Sequence, residues 1–124
     1  MRRTTSGSPF ERTIGFSRAV RVGERVLVSG TAPVGAEDAD AYTQTQRCLQ
    51  IIGTALHDLD ATLSNVVRTR MFITDARVAD DVGRAHAEAF ARTRPAATMV
   101  VVAGLLDPRW KVEIEAEAVI RGAP

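Results

Sequence analysis

Residues 98–120 read TMVVVAGLLDPRWKVEIEAEAVI, and this stretch decides the fold. Residues 98–103 are apolar without alternation and rich in valine, which favours a short buried strand over a helix. Residues 110–120 alternate, with apolar side chains at the even positions and mostly charged ones at the odd positions, which is the pattern of a strand with one buried face. The turn chemistry of Asp107 and Pro108 separates the two runs, so the stretch predicts two strands of a sheet.

Upstream of this stretch, periodicity assigns three more strands and two helices. Apolar residues at every second position mark the strands, and apolar residues three and four positions apart mark the helices. Asp38 and Asp40 are candidate N-caps of the first helix, and Pro95 follows the end of the second, because the residue before a proline avoids helical geometry. In chain order, the predicted elements are strands at 19–22 and 25–29, a helix at 41–59, a strand at 65–74, a helix at 78–90, and strands at 98–103 and 110–120.

The predicted order is therefore β-β-α-β-α-β-β, which is typical of an α+β fold. A mixed sheet with both helices on one face satisfies this order. We expect a single domain over residues 1–124, because a chain of this length forms one core. Residues 1–9 are polar and contain glycine and serine, so we expect a loose N-terminus.

Composition and charge disfavour several classes of protein. The formal net charge is +1 and no cluster of lysine and arginine stands out, which argues against nucleic acid as a partner. No apolar run reaches the length of a membrane span, and the first residues lack the apolar core of a signal peptide. Cys48 is the only cysteine, so no disulfide can form within the chain. These features predict a cytoplasmic protein with no membrane partner.

The apolar surface of the sheet predicts an oligomer. Residues 99–103 are apolar on both faces of their strand, and such a strand normally has layers above and below it. Two helices supply only one layer, so another subunit would cover the second face. The alternative is a central strand whose second face stays half exposed, since scattered apolar residues are common on protein surfaces.

An acidic row, Glu113, Glu115 and Glu117, lies on one face of the last strand. Arg68 and Arg70 have the same two-residue spacing on another strand, so the two rows can pair if the strands are neighbours. The acidic row is then a charge-paired and partly wet surface. Alternatively, one of these carboxylates contacts a ligand, and burial raises its pKa enough for acid–base chemistry.

Two segments of the chain resemble the signatures of the Rid family, also called YjgF. Residues 26–33 read VLVSGTAP and resemble the family's early strand with its Ser-Gly motif. Residues 94–100 read RPAATMV and, followed by VEIEA at residues 112–116, resemble its C-terminal signature. The order of strands and helices is similar as well, so the resemblance covers nearly the whole chain from about Phe10.

The resemblance implies a chorismate-mutase-like α+β fold and a homotrimer with a cleft between each pair of adjacent subunits. It also implies a hydrolase: archetypal members are deaminases that convert reactive enamines or imines, such as 2-aminoacrylate, to a 2-keto acid and ammonia. Those members use neither a metal nor an organic cofactor. Their site has to hold a small molecule, exclude bulk water and position one attacking water.

The sequence departs from the archetype at the main binding position. Archetypal deaminases carry an arginine two positions after the proline of the C-terminal signature, and its planar guanidinium binds the substrate carboxylate. Here Ala97 stands at that position, framed by RPA at residues 94–96. An aromatic hydroxyl near the first strand is absent too, because the matching residues 15–17 read GFS. Loss of a buried, charge-assisted contact weakens binding, so deaminase activity does not follow from the resemblance alone.

The remaining matching positions form the candidate site. The resemblance assigns Glu113 as the catalytic carboxylate that orients water, and it assigns the substrate-binding positions Ser29, Gly30, Ala97, Thr98 and Met99. Arg84 and Arg94 are candidates for a substitute positive charge. Each assignment has a structural alternative: solvated surface arginines, a Ser29 hydroxyl that satisfies a strand end, and a Glu113 that belongs only to the paired acidic row.

Other chemistry has little support. His57 and His86 lack a second ligand at metal spacing, so no metal site is predicted, and Cys48 falls on the apolar face of the long helix. Three functions remain: a Rid-like deaminase acting on a small imine or enamine in an intersubunit cleft, a trimer that binds a small metabolite or a partner without turnover, and an endoribonuclease. The motif positions favour the first and Ala97 favours the second, whereas the balanced charge and the lack of a histidine pair argue against the third.

Overall fold

A computed structural model describes residues 1–121, which form a six-stranded sheet and three α-helices. The strands are β1 (Arg2–Thr4), β2 (Ala19–Val22), β3 (Arg25–Thr31), β4 (Val66–Ile73), β5 (Ala96–Val101) and β6 (Val112–Val119). The helices are α1 (Pro9–Ile14), α2 (Ala41–Asp58) and α3 (Ala79–Phe90), with short 3-10 turns at Leu63–Asn65 and Ala76–Val78.

The sheet is mixed, and its strands are ordered β1-β2-β3-β6-β4-β5. Only β4 and β5 run parallel, which requires a crossover connection, and α3 supplies it. Alternation along the last stretch correctly predicted β6, which lies between β3 and β4 with its even-numbered residues buried. The predicted α+β class and mixed sheet are confirmed.

The long helix α2 fixes the core, because its apolar face packs on β3 and β6. Asp40 caps this helix by accepting a hydrogen bond from the Thr43 backbone N–H at 2.8 Å, as predicted for one of the two candidate caps. α3 packs beside α2, and the His86 ring contacts Thr69 of β4, so both helices cover the same face of the sheet.

Gln44 of α2 is buried, contrary to expectation. Helical spacing predicts that it shares the exposed polar face with Gln46 and Gln50, but its side chain is fully buried. Its Oε1 accepts a hydrogen bond from the Lys111 N–H at 2.7 Å, and its Nε2 donates to the Arg109 carbonyl at 3.0 Å. A buried amide is tolerated when its polar groups are paired, and here it joins the helix to the chain that leads into β6.

The first residues of β4 face the opposite way from the prediction. Strict alternation over residues 65–74 predicts Val67 on the same face as Thr69 and Val66 on the other face. A register shift between Val66 and Arg68 reverses the first two residues, so Val66 is buried while Val67 is 40% exposed. One extra residue in a strand has this effect because side chains alternate between the two faces.

The N-terminal segment is structured in a way that the sequence did not predict. β1 lies within the segment expected to be loose, and its three residues pair with β2. An ion pair between Arg2 and Asp60 links this strand to the residues that follow α2, with Arg2 Nη1 2.6 Å from the Asp60 carboxylate. Three residues are too few to show a periodic pattern, and the same holds for the short helix α1, which the sequence analysis did not predict either.

The sheet face opposite α2 and α3 is uncovered in the single chain. Leu27 is 43% exposed and Val100 is 41% exposed on this face, with the charged side chains of β4 and β6 between them. β5 is an edge strand that is largely exposed in the single chain, whereas its valine run predicted a short buried strand. None of the helices in residues 1–121 combines the length and the apolar composition that a bilayer crossing requires.

Candidate functional site

A cavity of about 560 Å³ opens where β3 ends and β6 begins. Ser29, Gly30 and Thr31 of β3 line it on one side, and Glu113 and Glu115 of β6 line it beside them. The N-terminal residues 6–10 form a further wall. These segments meet because β3 and β6 are antiparallel neighbours, so the end of one strand adjoins the start of the other.

Gly30 allows the Glu113 side chain to lie directly against the β3 backbone. A Cβ at position 30 would come 3.3 Å from both Cδ and Oε1 of Glu113, which is closer than ordinary van der Waals contact. The β3–β6 ladder also changes register between Val28 and Thr31, so the backbone departs from regular pairing at this point. The glycine and the irregular ladder therefore make room for one carboxylate.

Glu113 is the one member of the acidic row that has no ion-pair partner within residues 1–121. Arg70 Nη1 lies 3.0 Å from Glu115 and 3.7 Å from Glu117, and Arg25 lies 3.4 Å from Glu117. The predicted pairing between the rows of β4 and β6 is thus confirmed for Arg70, whereas Arg68 forms no ion pair with the acidic row in the described residues. The Glu113 carboxylate accepts no hydrogen bond within the described part of the chain.

The surroundings of Glu113 favour its neutral form. Burial raises the pKa of Glu113 above its ordinary value of 4.5. The positive charge of Arg18 opposes this effect in part, and the negative charge of Glu115 adds to it. A half-buried, unpaired carboxylate with a raised pKa is suited to accept a proton and return it.

Arg18 is a cavity residue that sequence reasoning missed. It is only 4% exposed, and its Nη1 donates to the Gly30 carbonyl at 2.6 Å and to Thr31 Oγ1 at 3.0 Å. Its Nε lies 3.5 Å from a carboxylate oxygen of Glu11 without forming a hydrogen bond. No pattern in the local sequence marks Arg18 as a buried residue, so only the structure reveals it.

Glu11 ties the N-terminal wall to Arg18. It is a buried residue of α1, and it accepts hydrogen bonds from Thr5 Oγ1 at 2.7 Å, from the Ser6 N–H at 3.2 Å and from the Ser6 hydroxyl. Burial alone would raise the pKa of Glu11, but these hydrogen bonds and the charge of Arg18 outweigh it and hold the pKa below 4.5. Glu11 is therefore a fixed anion that positions residues 5 and 6.

Aromatic side chains form the apolar part of the cavity. Phe10 meets Trp110 edge to face, with ring centroids 6.0 Å apart and planes at 72°. Phe16 lies under the Arg18 guanidinium, whose Cζ is 5.3 Å from the ring centroid. Sequence reasoning missed Phe10 and Trp110 as site residues, because they come from opposite ends of the chain and only the fold brings them together.

Three of the predicted site residues meet in this cavity: Ser29, Gly30 and Glu113. The Ser29 hydroxyl donates to the Ser17 carbonyl at 2.7 Å, so it satisfies the chain beside the strand end. Its oxygen can still accept a hydrogen bond from a ligand.

The other predicted residues do not reach the cavity of the same chain. Ala97, Thr98 and Met99 lie on β5, which β4 separates from β6. Arg84 lies on the surface of α3, with its Cζ 3.9 Å from the Tyr42 ring centroid. Arg94 is exposed beyond the end of α3 and adopts left-handed backbone geometry, with φ of 48°.

Metal chemistry has no geometric support in the part of the chain that the structure describes. No group of three histidine, cysteine, aspartate or glutamate residues is placed there to hold a metal ion. Cys48 is buried, and that burial raises the pKa of its thiol. His86 donates to or accepts from Thr69 Oγ1 at 2.8 Å and packs on Phe90, and burial lowers its pKa.

Comparison with known proteins identifies close relatives over nearly the full length. The sequence model of the Endoribonuclease L-PSP family matches residues 8–120. Rv2704 from Mycobacterium tuberculosis, a member of the highly conserved YjgF/YER057c/UK114 family, is 44% identical, and its crystal structure superposes with a TM-score of 0.90 over 96% of this chain and 98% of that one.

Two curated sequences extend this similarity. An uncharacterized protein of Streptomyces coelicolor is 40% identical across 99% of this chain and 94% of its own length. A RutC family protein of Sinorhizobium fredii is 31% identical across 82% of this chain and 83% of its own. The range matched by the family model, residues 8–120, includes both β3 with its Ser-Gly motif and β6, the two strands that border the cavity.

Proposed function

Because the chain belongs to the Rid family, also called YjgF or L-PSP, we propose that it is a cofactor-free deaminase that hydrolyses a small imine or enamine in the cavity beside Glu113. The observation that carries this proposal is the state of Glu113: a half-buried carboxylate without an ion-pair or hydrogen-bond partner in residues 1–121, held against Gly30. A carboxylate that serves only to pair charge would resemble Glu115, which Arg70 neutralises.

The reaction needs one water and one proton carrier. The Glu113 carboxylate takes a proton from water as the water oxygen bonds to the imine carbon, and the C=N electron pair goes to nitrogen. Proton return from Glu113 to that nitrogen gives a carbinolamine. Glu113 then takes the proton of the new hydroxyl and passes it to the nitrogen, so that the C=O bond forms as the C–N bond breaks and ammonia leaves. A well-placed acid–base group of this kind accelerates a reaction by about 10²- to 10⁴-fold.

We propose that the protein acts as a homotrimer in which each cavity lies between subunits. The uncovered sheet face supports this, since Leu27 and Val100 leave apolar surface exposed on it. In such an assembly, β5 of one subunit borders the cavity of the next, which would bring Ala97, Thr98 and Met99 to Glu113 of the neighbour. A native mass three times that of the 13.4-kDa chain is expected, whereas a monomeric mass in dilute solution contradicts the assembly.

The first experiment is a substrate screen with the wild-type protein. 2-Aminoacrylate and larger imino acids are generated in situ from amino acids, and the release of ammonia and keto acid is compared with buffer alone. We expect acceleration for at least one imino acid. A short single-stranded RNA is incubated in parallel, because the matched family model carries the name endoribonuclease. Cleavage of RNA without acceleration of any imine would replace the proposal by the nuclease alternative.

A variant tests the position of β5. Ala97→Arg restores the guanidinium that archetypal deaminases carry, so it is expected to raise the rate on 2-aminoacrylate if β5 borders the neighbouring cavity. The binding module without turnover is the second candidate, and Ala97 is the observation that favours it. That candidate gains support if neither the wild type nor Ala97→Arg accelerates any imine while a keto acid still binds.

A further inference from the structure

We propose that Arg18 is the anion anchor of the cavity, and that the ligand is a 2-imino or 2-keto acid whose apolar side chain is larger than a methyl group. The inference rests on the proposed function for the class of compound. It goes beyond that function in assigning the carboxylate to a residue in the N-terminal half, in place of the arginine that is missing at position 97.

The placement of Arg18 is that of a built binding group. The side chain is more than nine-tenths buried, and Nη1 is fixed by the Gly30 carbonyl and by Thr31 Oγ1. Nε is buried away from solvent beside Glu11, so it is not open to a ligand. Nη2 donates no hydrogen bond within the first 121 residues. The guanidinium is thus held rigidly at the cavity wall with Nη2 left to donate to a ligand carboxylate.

Arg18 has few negatively charged neighbours that would compete with an anionic ligand. Glu11 is its only ion-pair partner in the described residues, at 3.5 Å, and that carboxylate already accepts hydrogen bonds from Thr5 and Ser6. Glu113 lines the same cavity but forms no ion pair with Arg18. A ligand carboxylate on Arg18 would therefore lie near Gly30, the residue against which the Glu113 side chain also packs.

The aromatic residues and the volume of the cavity indicate the size and polarity of the ligand's side chain. Phe10, Phe16 and Trp110 present aromatic surface, and the volume of about 560 Å³ lies in the range of sites for drug-sized molecules. A three-carbon acid such as pyruvate fills only a small part of this volume. A branched or aromatic side chain buries apolar area against the aromatic wall and gains affinity from it.

Arg47 is the competing cation. It also lines the cavity, but it is half-buried and its Nε donates to the Val34 carbonyl at 2.7 Å. It lies on α2 at the side of Val34, whereas Arg18 lies beside Gly30 and thus on the side of Glu113. If the anion binds near the reacting carbon, Arg18 and not Arg47 holds it.

Binding is measured apart from turnover, by the fluorescence of Trp110, which is the only tryptophan of the chain and lines the cavity. The probes are 4-methyl-2-oxopentanoate, its methyl ester and pyruvate. We expect the acid to bind about tenfold or more tightly than its ester, and more tightly than pyruvate. Arg18→Gln should lower the affinity for the acid to that for the ester and leave the ester unaffected. Arg12→Gln, an exposed change of the same charge outside the cavity, should alter neither.

Two results overturn the inference: the wild type binds acid and ester equally, or Arg47→Gln abolishes the preference for the acid while Arg18→Gln retains it. If Arg18→Gln does not fold, Arg18→Lys and the acid–ester comparison on the wild type decide the question. Failure of the proposed deaminase is distinguishable, because it would appear as an intact preference for the acid through Arg18 without acceleration of any imine.

Discussion

Replacement of Gly30 by alanine tests the placement of Glu113 with a single methyl group. The new Cβ would lie 3.3 Å from Cδ and Oε1 of Glu113 and 3.7 Å from its Cγ, so the carboxylate has to move by a few tenths of an ångström. Gly30 does not use left-handed backbone geometry, so the substitution adds steric pressure without backbone strain. Turning a side chain away from its preferred rotamer costs about 0.5–1.5 kcal/mol.

If that cost falls on the transition state, kcat/KM for imine hydrolysis drops about two- to tenfold. The assay is initial rates of ammonia release on the best substrate of the screen. Gly53→Ala in α2 is the matched control, because its Cβ would meet the Leu63 side chain at an ordinary 3.9 Å. It should leave the rate unchanged and stabilise the helix by about 1 kcal/mol. An unaltered rate for Gly30→Ala would refute the claim that Glu113 works from its position against Gly30.

Three further predictions concern pH and stability. Because the pKa of Glu113 is raised, kcat/KM should fall on the acid side with a midpoint above pH 4.5, and a midpoint at or below pH 4.5 would speak against Glu113 as the base. Arg18→Gln should move that midpoint to higher pH, because it removes the positive charge that lowers the pKa of Glu113. The pKa of Glu11 is lowered, so its contribution to the free energy of unfolding is present above about pH 4.5 and is lost as the pH falls through the folded-state pKa. In urea unfolding, Glu11→Gln should therefore lose less stability at acid pH than the wild type does, and equal losses would contradict this. Gln44→Leu leaves the Lys111 N–H and the Arg109 carbonyl without hydrogen-bond partners, so the free energy of unfolding should drop by about 2–5 kcal/mol. A drop below about 1 kcal/mol would show that water replaces the amide.

Periodicity along the chain was sufficient for most of the sheet. β6 was predictable because the apolar side chains at its four even-numbered positions alternate with mostly charged ones, and such alternation indicates one buried face. β5 was found, but its valine run predicted a buried strand, whereas β5 pairs only with β4 among the described strands and is largely exposed in the single chain. Composition reports that a strand has apolar surface, but it does not report which neighbour covers that surface.

The lining of the cavity was predictable only in its motif-bearing part. Short signatures mark Ser29, Gly30 and Glu113, and the structure brings these three residues together in the cavity. Arg18 was missed because local sequence carries no sign that a charged side chain is buried, and its partners at Gly30 and Thr31 come from the next strand. The aromatic wall depends on contacts between the N-terminal segment and the loop before β6, which only tertiary structure creates.

In the proposed mechanism Glu113 carries the chemistry, and the rest of the acidic row does not. The most direct measurement compares kcat/KM for imino acid hydrolysis between Glu113→Gln and Glu117→Gln, two identical changes on the outward face of β6, of which only the first lies in the cavity. We expect a loss of about 100-fold or more for Glu113→Gln and little change for Glu117→Gln. Equal activity of the two variants would contradict the proposed role of Glu113.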